Sequence, residues 1–161
     1  MVDIILLFVS WIHVLSAITW LGGALILEFV VIPSIFKSSI EKKGEIVSNI
    51  GEKFGLVAQI SSGLLFLTGL YRVYASIGLN FDELIRTSWG NFLLLKVILF
   101  FVFVGLGITV GKNMQKIPSI SPQELGEFLK KTKRLQHLDL AIGFLIILIA
   151  EILRYGGTIR F

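Results

Sequence analysis

The chain has 161 residues, 55% of them hydrophobic, and a formal charge of +4, with a mean hydropathy of +0.86. Such hydropathy excludes an ordinary soluble domain and places the chain among membrane proteins. The absence of cysteine excludes disulfides, thiolate metal sites and a cysteine nucleophile.

Four apolar stretches follow one another: Ile4–Ile32, Phe54–Tyr74, Phe92–Val110 and Leu135–Leu153. About 20 helical residues cross a hydrocarbon layer of about 30 Å. Lipid cannot satisfy open backbone groups, so each stretch must be helical. The predicted fold is all-α, a single four-transmembrane-helix bundle over residues 1–161 of a multi-pass cell-membrane protein.

The first stretch carries Asp3 in place of a basic leader region and lacks a small-residue cleavage pattern. It is also long for a signal peptide, so it reads as a retained helix that Pro33 ends. A polar amphipathic approach, Glu41–Lys53, precedes the second helix, with Gly51 and Gly55 at its entry. The connection Ala75–Gly90 holds Gly78, Asn80 and Gly90 and reads as turns. The third helix ends near Gly111, and Gly107 with Gly111 has the spacing that lets helices approach closely. Ser121-Pro122-Gln123-Glu124 has the form of an N-cap, a first-position proline and an acidic first turn. The fourth helix is therefore predicted from about Pro122 to Tyr155, its first turns standing in the cytoplasm.

The basic residues sort by side. The first connection holds Lys37, Lys42, Lys43 and Lys53, and the third holds Lys112, Lys116, Lys130, Lys131, Lys133 and Arg134. Arg72, Arg86, Arg154 and Arg160 fall on the other side. The positive-inside rule puts both lysine-rich connections in the cytoplasm and both termini outside. Val2 should then be labelled from outside and Ser119 should not. The run Lys130–Arg134 reads as topology and headgroup contact, with no nucleic-acid partner.

Polar groups inside the apolar stretches are costly and mark candidate sites. His13, Lys96, Glu151 and Arg72 converge on the outer leaflet when the helices alternate in direction. Glu28, Gln59, Ser62, His137 and Asp139 fall at the inner one. At 100° per residue, His13, Ser16, Ala17, Trp20 and Ala24 share a face. So do Gln59, Gly63, Phe66 and Leu70; Trp89, Lys96, Phe100, Phe103 and Gly107; and His137, Phe144, Leu148, Glu151 and Tyr155. Each stripe suits a central pocket for a flat ligand, and equally suits ordinary helix packing. His13 is the first candidate iron or metal ligand. Lys96 either snorkels outward or pairs with Glu151. His137 is a second metal candidate near the boundary. The two histidines differ in depth by about 10 Å or more, too much for two axial ligands on one haem. The chain's only methionines are Met1 and Met114, a poor supply of thioether ligands for a Cu(I) path. No phosphate loop, nucleophile elbow, zinc-protease motif or dinucleotide fingerprint is present.

The run Trp11-Ile12-His13-Val14-Leu15-Ser16-Ala17-Ile18-Thr19-Trp20-Leu21-Gly22-Gly23 resembles the opening of the copper-resistance D (CopD) family and of the related HemJ-type protoporphyrinogen oxidases. Ser88-Trp89-Gly90-Asn91-Phe92-Leu93-Leu94-Leu95-Lys96 resembles their third helix, and Thr68-Gly69-Leu70 the end of their second. The resemblance to HemJ-type proteins implies haem b, with His13 as the iron ligand and Lys96 in the site. The resemblance to CopD implies copper uptake across the membrane. The main reading is a small haem-b redox protein, a membrane oxidoreductase with Lys96 and Glu151 as catalytic candidates. Its cofactor would be held by His13, Trp20, Lys96 and Arg72. The alternative is a transport protein for copper or another small solute, with His13 and His137 as metal ligands. A further alternative is a non-catalytic subunit of a larger membrane complex. The expected partners are the lipid bilayer, a membrane redox partner or quinone, and further copies or subunits.

Overall fold

Every backbone amide within lipid needs a partner in its own chain, and four long helices supply them. The computed structural model describes residues 3–78 and 80–157. Val2 and Arg160, used above for labelling and charge sidedness, lie outside the described residues. Helix α1 runs over Ile4–Lys37 and α2 over Lys43–Ile77. A short α3 spans Phe81–Arg86, α4 spans Ser88–Lys116, and α5 spans Pro122–Arg154. Helices α1, α2, α4 and α5 are long and apolar enough to cross a membrane.

The Asp3 carboxylate starts α1 by accepting the amides of Ile5 (2.9 Å) and Leu6 (3.1 Å). Two wider π-type turns, Ile18–Gly22 and Leu27–Val31, interrupt it. They matter for what α1 turns inward. In a regular α-helix, residues four apart drift around the axis by about 40° per step. A turn closed to the fifth residue takes up that drift. Ser16, Trp20, Ala24 and Glu28, at successive intervals of four, are all buried. Pro33 does not end α1 as its sequence suggested. It lies inside α1, directly after the wide turn Leu27–Val31, where the regular hydrogen-bond ladder is already interrupted.

Three further boundaries differ from expectation. The polar approach to the second helix is helical from Lys43 onward, so Gly51 lies inside α2, where a Cβ would come within 2.9 Å of Met114 Cβ. Helix α4 continues past Gly111 to Lys116. The outer connection contains α3, and at Gly90 any side chain would strike the Glu83 and Leu84 carbonyls. The α5 start agrees: Ser121 precedes Pro122, and its hydroxyl donates to Glu124 Oε2 at 2.8 Å.

Helix α1 packs along α2, α2 along α4, and α4 along α5. The lysine-rich connections meet at one end, where the Ser48 hydroxyl donates to the Gln115 carbonyl (3.4 Å) and Gly44 faces Ile117. Val47, Val110, Met114 and Ile117 form the core beneath them. The start of α1 and the end of α5 lie toward the opposite, terminal end. The central core is Trp20, Leu21, Ala24, Phe103 and Leu140. The Trp20 and Phe103 rings lie 4.4 Å apart, and Gly143 lets Leu21 and Phe103 close on α5.

Two of the four predicted stripes do not face this core. On α5, Phe144, Leu148, Glu151 and Tyr155 are exposed, while Thr132, Gln136, Asp139, Leu140, Gly143 and Ile149 are buried. On α2, Gln59, Gly63, Phe66 and Leu70 are exposed, while Val47, Gly51, Ser61 and Thr68 are buried. Helical angles show which residues share a face. They do not show which face turns inward when the surrounding lipid is as apolar as the core.

Candidate functional sites: two tethered histidines and a carboxylate cavity

The first site lies in the terminal half of the bundle. His13 Nδ1 is 2.8 Å from the Thr68 hydroxyl of α2. That hydroxyl donates its own proton to the Leu64 carbonyl at 2.5 Å, so it must accept from the imidazole. Nδ1 therefore carries the hydrogen, and the lone pair of a neutral ring lies on Nε2. Gly69 leaves room for the ring edge, since a Cβ there would come within 3.5 Å of His13 Cε1. Lys96 of α4 and Arg72 of α2 both bear electrostatically on this imidazole. The surroundings of His13 are thus cationic and suit an acidic ligand group.

The expected partnership of Lys96 with Glu151 is not formed. Glu151 is exposed on α5 and pairs with Arg154 at 3.7 Å. Lys96 makes no ion pair among the described residues, and its electrostatic neighbours are Arg72 and His13. Glu151 therefore leaves the cluster, for the reason already given: its stripe faces outward. Trp20, assigned to a cofactor, is buried in the central core, 4% exposed.

The second site lies toward the lysine-rich end. His137 Nε2 is 3.0 Å from Glu28 Oε1. Glu28 is buried on α1, whereas the His137 side chain is half exposed, with the Phe29 ring stacked beside it at 6.3 Å. A ring N–H donated to a carboxylate fixes the tautomer and makes the other nitrogen a better ligand. Glu28 was visible among the inner-leaflet polar residues, but nothing in the sequence tied it to His137. The two π-type turns of α1 carry Glu28 inward.

Beside this pair is a cavity of about 160 Å³ bounded by α1, α2, α4 and α5. Trp20, Gln59, Ser62, Gly107, Gln136 and Asp139 are among its lining residues. Asp139 is 5% exposed, and its Oδ1 has no hydrogen-bond partner among the described residues. Gly107 and Gly111 also face this space. A Cβ on Gly107 would sit 3.8 Å from Asp139 Oδ2, and one on Gly111 would meet nothing within 4 Å. The glycine pair read as a close-approach motif thus helps to line a void.

A haem does not fit this cavity, because pockets that enclose drug-sized ligands occupy roughly 300–1,000 Å³. A haem ligated by His13 would have Lys96 and Arg72 as the nearby cationic side chains. Among the described residues, no group of three or more His, Asp or Glu side chains converges for a metal ion. Glu28 and His137 meet as a pair.

The fold and these sites define a small polytopic helical membrane protein with ionisable groups on its interior faces. Residues 48–153 match the family model for copper resistance protein D, CopD, and the chain belongs to that family. The matched stretch covers most of α2 and the spans of α4 and α5, and it begins after α1. The chain is also similar to an uncharacterized protein of Aquifex aeolicus (strain VF5), 36% identical over 83 residues. That alignment covers 51% of this chain and 57% of the relative, so the chain spans little more than half the length of the relative it matches. No solved structure matches it.

Proposed function

We propose that this chain carries copper, or a similarly small solute, across the membrane in which it sits. The observation that carries the reading is the Glu28–His137 pair: a buried carboxylate tethering a half-exposed imidazole at the edge of an apolar bundle of the CopD family. Intramembrane ionisable residues mark solute pathways by default. Imidazole is a good copper ligand, and a carboxylate behind it raises its basicity. A single imidazole backed by a carboxylate holds an ion without trapping it, as conduction requires. The basic connections set the orientation, with the lysine-rich end in the cytoplasm and both termini outside.

Purified protein in liposomes should take up copper. Glu28→Gln should lower its apparent affinity by about 10–100-fold, the usual cost of losing such a partner, and His137→Ala, which removes the ligand itself, should lower it at least as much. Uptake unchanged in both variants would overturn the reading.

The HemJ-type haem reading retains one supporting observation: the Nε2 lone pair of His13 lies among cationic Lys96 and Arg72, which suits an iron ligand beside propionates. A Soret band in detergent-purified protein, lost in His13→Ala, would favour it over transport. Large subunits that co-purify in stoichiometric amounts would favour the subunit reading.

A further inference from the structure

We infer that the cavity lined by Asp139 binds a small monovalent cation, separately from any copper carried at the histidines. A buried carboxylate oxygen without a partner is costly; water in the cavity can satisfy its hydrogen bonding, but its charge is offset by a counter-charge or a proton. Within an otherwise apolar and glycine-rich lining, the ligating side chains are hard donors: Asp139, Gln136, Gln59 and Ser62 supply carboxylate, amide and hydroxyl oxygens. Oxygen sets select alkali and alkaline-earth ions, whereas a soft Cu(I) ion would seek sulfur. Met114 is the single thioether on the lining, and it is packed into the core under the lysine-rich end.

Charge decides the valence. Among the described residues Asp139 is the only acidic one on the lining, so one positive charge neutralises it and two would leave an excess. Lys112 also lines the space, but its side chain is exposed and makes no ion pair with Asp139. It lies about 7 Å nearer the lysine-rich end than Gly107 along α4. The volume of about 160 Å³ holds several waters at about 30 Å³ each, or an ion with part of its hydration shell. Asp139 stands about 6 Å, one helical turn, inside the start of the apolar stretch of α5. An ion would therefore reach it from the lysine-rich end without crossing the bundle.

Trp20 reports on the site, because Gly107 lies against both its indole and Asp139. The full-length protein carrying Trp11→Phe and Trp89→Phe, in nanodiscs, would be titrated with sodium, potassium and lithium chloride. Choline chloride would hold ionic strength constant. The expected result is a saturable change in Trp20 emission with one or more of the alkali ions. Half-saturation should rise tenfold or more, or the response vanish, in Asp139→Asn. Gly111→Leu guards against a folding defect in that variant: its side chain grows into the open cavity and should abolish the response. Glu151→Gln should leave the response unchanged. No response to any alkali ion, a response that tracks pH alone, or displacement of the alkali ion by Cu(I) would each overturn the inference. None of these outcomes depends on Glu28 or His137, so failure here leaves the transport reading standing, and failure there leaves the cation site standing.

Discussion

His13 and His137 are built alike and surrounded by opposites. Each imidazole is tethered through one ring nitrogen to a neighbouring helix: His13 to the Thr68 hydroxyl, His137 to the Glu28 carboxylate. Around His13 the nearby charges are Lys96 and Arg72, both positive. Toward His137 the buried charges are Glu28 and Asp139, both acidic. The interior is thus polarised against its surface, because the acidic interior sites lie toward the end that carries the lysine-rich connections. A cation attracted to an imidazole is repelled at the first site and assisted at the second. The same residue type therefore points to an acidic ligand in one half of the bundle and to a cationic one in the other.

Four experiments would break or sharpen this contrast. The largest expected effect is topological. Cysteine placed at Ser119 should react with a membrane-impermeant reagent only from the cytoplasmic side, and cysteine at Asp3 only from outside. The reverse pattern would exchange the sides of the two sites. Next come Glu28→Gln and Thr68→Val, each of which cuts one tether. Copper affinity measured by competition should fall by about 10–100-fold in the first. In the second it should stay within about twofold, because a cation has little to gain at His13. Thr68→Val should instead cost about 0.6 kcal/mol of stability, and no more than about 1.7, the range for hydrogen bonds between membrane helices.

Gly143→Ala tests whether the core between the two halves is as tight as it looks. The new Cβ would come within 2.7 Å of Leu21 Cδ1 and 3.2 Å of Phe103 Cε2. An overpacking cost of about 1–3 kcal/mol is expected, read as a lower unfolding temperature in detergent. The smallest effect is expected from Glu151→Gln. Its exposed pair with Arg154 should be worth under about 0.5 kcal/mol, and copper transport should not change. A large transport defect in that variant would return Glu151 to the site and undo the assignment of its stripe to the lipid face.

Much of the architecture was legible because lipid is a severe solvent. An apolar run of sufficient length must be a helix, and a proline after serine marks where one begins, as at Ser121-Pro122. The face His13, Ser16, Trp20 and Ala24 was also legible, since small residues beside an imidazole mark the side of α1 that another helix can approach. Glu151 and His137 were harder. Leu148 on the stripe of Glu151 and Leu140 on the buried face of α5 have the same chemistry, and only packing tells which one meets lipid.

The sequence by itself determined the number of spans, their approximate length, the gathering of the lysine-rich connections at one end and the candidate polar residues, because each depends on local composition and on the cost of polar groups in hydrocarbon. The tertiary structure alone decided which of those residues meet. It joined Glu28 to His137 across 109 positions, left Asp139 facing a cavity, and turned Glu151 outward. The wider turns of α1 rotate Glu28 to the interior, and a rotation accumulated through hydrogen bonds to the fifth residue leaves no mark in the order of side chains.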